Sequence, residues 1–164
     1  SRSPVHLYSD AINTPSRVTV VLIRDGYMHY CDMEPDEETL KNFRIGGDKG
    51  IMSLELLSIA LGPLTALFFA LCVFCTFSAM IGLTVFGEMI AGRNVIIYSD
   101  NTGAEAATRK GTTKNFDQHS LVHCIWKKLT LLDAGVWVLR VPTDDNIADC
   151  PSRQVFAMFL FLSC

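Results

Sequence analysis

Four carboxylates stand out from the 17 acidic residues of this 164-residue chain by what surrounds them: Asp10, Glu55, Asp100 and Asp149. Asp100 ends the apolar run VIIYS, and a helix signal follows at once. In open α/β sheets that strand edge is where ligands bind. Asp10 closes a shorter apolar stretch, HLYS, in the same manner. Glu55 is the one charge in an otherwise apolar helical stretch, IMSLELLSIAL. Burying it alone would cost several kcal/mol, and a bound cation would remove that cost. Asp149 lies on a short helical turn, NIADCPS, after the last strand. Carboxylate oxygens are the ligands of hard divalent cations. The plainer readings are a turn aspartate that caps a helix at position 100, and at position 55 a glutamate facing solvent in a first helical turn.

The elements that would carry these groups follow from the pattern. Residues 5–8, 17–24 and 27–32 form three antiparallel strands, with Asp25-Gly26 as a hairpin turn. Residues 51–61 are helical. Residues 95–99 form a buried strand. A short helix follows it, with Thr102 and Glu105 as a capping box and Gly111 as the stop. Residues 117–132 form an amphipathic helix with the apolar stripe Leu121, Val122, Ile125, Trp126, Leu129 and Leu132. Its His119 and His123 lack a third nearby ligand and read as surface residues. Residues 135–141 form a further buried strand, and residues 142–145 a turn and cap.

Composition narrows the class. A chain of this length forms one domain with a real core. A net charge of -3 excludes a broadly basic nucleic-acid binder and leaves room for a local basic patch. The six cysteines are scattered, and Cys72 and Cys75 form a lone CxxC, so reduced thiols in an intracellular protein, cytoplasmic or nuclear, are expected. No secretory signal opens the chain. Glycines 46, 47 and 50 mark a loop and lack the Lys-Ser/Thr pair of a phosphate cradle.

The element order βββ-α-β-α-α-β-α, with acids at these places, resembles the ribonuclease H-like fold. The words LYSDA, IMSLELLSIALG, GRNVIIYSDNTGAEAATRKG, FDQHSLVHCIW and RVPTDDNIADCPSR resemble the ribonuclease H-like domain of reverse-transcriptase polyproteins from mobile elements, fungal ones especially. The resemblance covers residues 5–62 and 87–153. It implies an α/β fold with a mixed five-stranded sheet, order 3-2-1-4-5, flanked by helices. It implies Asp10, Glu55, Asp100 and Asp149 as catalytic residues and ligands of two Mg²⁺ ions, with Mn²⁺ as a substitute. Asp10 and Asp100 would be central, Glu55 on one ion and Asp149 on the other. It implies endonucleolytic hydrolysis of the RNA strand of an RNA–DNA hybrid, and as partners the reverse transcriptase or recombinase domains of the same polyprotein. Arg109, Lys110 and Lys114 are candidate phosphate contacts, with solvated surface as the alternative.

Three features depart from that pattern. Residues 56–87 carry no charge, and 63–82 have no counterpart in the family. The segment reads as a translated non-coding stretch, a buried helical extension, or a membrane span over 64–86. A single span would put Asp10 and Glu55 on one side of a bilayer and Asp100 and Asp149 on the other. A membrane-anchored protein and a four-carboxylate centre therefore exclude each other. No histidine occurs in 142–148, where some relatives carry one, and the tail after Arg153 turns apolar. A catalytically dead remnant that serves as a packing module is the remaining alternative.

Overall fold

A computed structural model describes residues 2–13, 16–35, 75–114 and 116–153. Glu55, the 51–61 helix and residues 63–74 lie outside the described residues.

The sheet is built on β1 (Val5–Asn13), β2 (Ser16–Arg24) and β4 (Val95–Ser99), and β-branched residues dominate β2 and β4. β3 (Tyr27–Met33) and β5 (Val136–Arg140) are its edges. The order is β3-β2-β1-β4-β5. β1–β2 and β2–β3 are antiparallel, and β1–β4 and β4–β5 are parallel. The β2–β3 turn has φ of 51° at Asp25 and 83° at Gly26, the left-handed pair that a two-residue hairpin requires. Arg93 and Arg24 both reach the Asp25 carboxylate, at 3.0 and 3.1 Å, which ties this turn to the loop before β4.

One face of the sheet is covered by helices. α1 (75–85) continues into α2 (Gly87–Ile90), and α4 (Phe116–Leu131) packs beside them. Ala79, Leu83, Phe86 and Ile90 meet Val5, Leu7, Val20, Leu22, Val95 and Ile97, with Ile125 and Leu129 from α4. Cys75 and Phe77 join a second cluster with Ala11, Val18, Ala104 and Leu121. The apolar character of 75–83 is thus spent on a helix that is buried on nearly every side. Its two buried hydroxyls are satisfied internally. Ser78 Oγ donates to Thr19 O at 2.8 Å, and Thr76 Oγ1 accepts from Gln118 Nε2 at 3.2 Å. Among the described residues, no helix is long and apolar enough to cross a membrane.

Three local expectations are corrected. β1 does not stop at Tyr8. It runs to Asn13, because antiparallel pairing with β2 continues through Asp10–Thr19 and Ala11–Val18 after the parallel pairing with β4 has ended at Ser9–Ser99. The cap of α3 (Thr102–Lys110) is Asn101, not Thr102: Asn101 Oδ1 accepts from Ala104 N at 2.9 Å. Glu105 then falls beyond the capping position and pairs with Arg109 at 3.3 Å. β5 is not buried. As an edge strand it leaves Trp137 and Leu139 exposed. Gly111 does terminate α3, in the left-handed conformation, and α4 buries Leu121, Val122, Ile125 and Leu129 of its predicted stripe but leaves Trp126 exposed.

Candidate active site

The site forms where parallel pairing stops. Ser9 and Ser99 are the last paired residues of β1 and β4, and Asp10 and Asp100 each stand one step beyond. Neighbouring strands are ~5 Å apart, so this register brings the backbones of the two aspartates close together. Strand alternation puts Asp10 on the face of His6 and Tyr8, away from the helical core. Short ties fix the backbone here. Ser9 Oγ donates to Tyr98 O at 3.2 Å, crossing from β1 to β4. Asn101 N donates to Ser99 Oγ at 3.3 Å, shaping the bend that holds Asp100.

The third carboxylate arrives from the far end of the chain. After β5, Val141 N donates to Ser99 O at 3.1 Å, and a 3-10 turn (Thr143–Asp145) leads to Asn146. Asn146 is buried, and its Nδ2 donates to Ser9 O at 3.2 Å while its Oδ1 accepts from Ala148 N at 3.3 Å. This side chain pins the turn to the end of β1. α5 (Asp149–Ser152) therefore packs against β1 and β2, with Asp149 as its first residue. Asp10 is buried, whereas Asp100 and Asp149 are partly open.

Arg153 links the three. Its Nε donates to Asp149 Oδ1 at 2.8 Å. Hydrogen bonding and attraction from Asp149 hold the guanidinium above its ordinary range, and Asp10 and Asp100 add to that attraction. Its direct contact is with Asp149, and Asp10 and Asp100 act on it only at longer range. Among the described residues, no group of three metal-ligating side chains is close enough as it stands to hold an ion. The donor set nevertheless fits a hard divalent cation. It offers only carboxylate oxygens, on adjacent elements, and a positively charged group is already paired with one of them.

The basic residues lie farther along, Arg109 and Lys110 in the last turn of α3 and Lys114 after it. Lys110 and Lys114 line a shallow groove of about 370 Å³ with Gly103, Ala106, Thr112 and Thr113. Arg109 is exposed and ion-paired with Glu105. His119 and His123 are exposed on α4, and His119 Nδ1 lies 3.4 Å from Thr112 Oγ1. Asn146 and Arg153 were not singled out by sequence reasoning. The signals were present: Asn146 Oδ1 to Ala148 N is the spacing of an Asx turn, and Asp149 and Arg153 stand at i,i+4.

A mixed five-stranded sheet in the order 3-2-1-4-5, flanked by helices, defines the ribonuclease H fold. The crystal structure of RNase H1 from the halophilic archaeon Halobacterium salinarum NRC-1 is similar to this chain, with a TM-score of 0.61 and 13% sequence identity. The similarity covers 94% of this chain and 98% of that one. At this identity the likeness establishes the fold. No protein-family model and no curated protein matches the chain.

Proposed function

We propose that this chain is a divalent-metal-dependent endonuclease that hydrolyses the RNA strand of RNA–DNA hybrids. The observation that supports the reading is the register of β1 and β4, in which Asp10 and Asp100 each follow the last paired residues, Ser9 and Ser99, together with the packing of α5 on β1. When bound, a pair of Mg²⁺ or Mn²⁺ ions supplies an activated water and stabilises the leaving oxygen. Asp10 and Asp100 would be central ligands, with Asp149 on one side. Glu55, the remaining acid of the set, is proposed for the other side on the sequence resemblance. The chain's own work is positional. Buried Asp10 is fixed by strand pairing, Asp100 by the bend at Ser99–Asn101, and Asp149 by Asn146. The like charge of these carboxylates is what a dication relieves.

The substrate would lie over this edge and along the groove of Lys110 and Lys114, with Arg109 beside it. The protein reads such a duplex by backbone shape and 2′-hydroxyls. The resemblance of the sequence words supports a place in the reverse-transcription apparatus of a retroelement, beside polymerase or recombinase domains of one polyprotein.

The test is cleavage of an end-labelled hybrid in Mg²⁺. Wild type should cut the RNA strand, and Asp100→Asn should reduce the rate by about 10²-fold or more, since one ligand oxygen of the centre loses its charge. No cleavage by folded, Mg²⁺-supplied wild type would reject the reading. A second reading, a packing module with the same fold and no metal chemistry, draws on the pairing of Asp149 with Arg153, which already satisfies one carboxylate. It predicts no cleavage by either protein.

A further inference from the structure

Arg153 is placed unlike the other cations of the site. Arg17, which enters the sheet opposite Ile12, is committed to Asp32 on β3 and to Glu34 just after it. Arg109 is turned to Glu105. Arg153 follows directly on α5, and its backbone N–H donates to Asp149 O at 3.1 Å, closing the turn. That turn aims the guanidinium back at Asp149, while α5 rests on the two strands that carry and flank Asp10. The Asp149 side chain is 22% exposed and that of Arg153 is 59% exposed. The arginine therefore sits at the rim, with one nitrogen on the carboxylate and a clear route to solvent. Ion pairs this open contribute modestly to stability, enough to hold the turn and weak enough for a dication to displace.

Resting on the metal-centre reading above, we propose that Arg153 is an internal counter-cation of the carboxylate centre: it holds Asp149 until a divalent cation binds, then yields it. The charge balance explains why such a group is needed. The guanidinium pairs with Asp149 at 2.8 Å, on a helix that packs against the strand carrying Asp10. Without a counter-charge the carboxylates would repel one another and loosen the attachment of α5 to β1. A dication offers more charge at shorter range and competes for the same oxygens. Arg153 then sets the threshold of metal loading: it lowers the affinity of the centre and keeps α5 docked below that threshold. Its role is positional, exerted through Asp149.

The experiment follows the melting temperature of the full chain against Mg²⁺ concentration for wild type, Arg153→Gln, Arg153→Lys and Asp10→Asn. In EDTA, R153Q should melt below wild type and R153K close to it. The Mg²⁺ concentration giving half the stabilisation should fall roughly three- to tenfold in R153Q, and much less in R153K, which keeps the charge. An unchanged or raised half-point in R153Q, with the response abolished in D10N, overturns the proposal and leaves the nuclease reading intact. No Mg²⁺ response in any of the four overturns both. A measurement on wild type alone guards against a variant that does not fold: the NMR signal of the Arg153 Nε–H should move through the Mg²⁺ titration with the same half-point, and a signal that stays still overturns the proposal.

Discussion

At the scale of single residues, position along a strand decides chemical role. Asp10 and Asp25 are both aspartates near a strand end, but one is buried beside Asp100 and the other stands in a hairpin between two arginines. Hydrogen bonds from Arg93 and then Arg24 hold the Asp25 carboxyl below its ordinary range. A depressed carboxyl stabilises the fold at pH above its unfolded value, ~4, and loses that contribution as pH falls through its folded value. Asp25→Asn keeps a side chain that tolerates positive φ, so the turn survives the change. Melting temperatures from pH 6 to ~2 should fall less steeply below pH ~4 in this variant than in wild type. Equal slopes would show that the two arginines do not hold the charge. Sequence alone identified Asp25-Gly26 as a turn. It did not reveal the arginines, because Arg93 is far away in the chain and only the sheet brings it close.

At the scale of elements, the stretch 75–90 is the informative one. It combines α1 and α2 in the slot between the sheet and α4, and its apolar composition is a core composition. Gly82 permits that approach. A Cβ at this position would lie 2.6 Å from Val20 Cγ1 and 3.1 Å from Leu7 Cδ1. Gly82→Ala gains about 1 kcal/mol of helix propensity. Overpacking against a β-branched side chain costs about 1–3 kcal/mol. The second effect should win, giving a net loss of about 1 kcal/mol in urea unfolding. A stabilised variant would mean that α1 has room to move off the sheet. Sequence could not choose among a membrane span, an insertion and a core helix for this segment, because hydropathy records that a segment avoids water and not what it meets instead. For 75–86 the structure shows the sheet on one side and α4 on another.

At the scale of the whole molecule, net charge opposes the proposed substrate. The chain carries a net charge of -3, and a hybrid is a polyanion. Binding therefore depends on local cations, and the proposed ones are Lys110 and Lys114, Arg109 being paired with Glu105. Each neutralised phosphate contributes roughly −0.9 to the slope of log affinity against log salt. A slope of about −2 is expected for hybrid binding by Asp100→Asn in Ca²⁺, where the complex is not consumed. Replacing either lysine by alanine should flatten it by about 1. A slope unaffected by both changes would place the duplex elsewhere.

The sequence by itself determined the local words: which runs become strands, where the hairpin turns, where α3 ends, and which acids stand out from their surroundings. These depend on side-chain period and turn chemistry, which act over a few residues. The order of the sheet also followed from those words once they resembled a known pattern, and the structure bears it out. Only the tertiary structure decided that β1 continues past Asp10, that β5 is an open edge, that Asn146 pins the last turn to Ser9, and that Arg153 joins Asp149 beside Asp10 and Asp100. Each of these depends on contacts between residues far apart in the chain. The free energy of such a contact is set by what the folded sheet places opposite, and neighbouring residues carry no record of that.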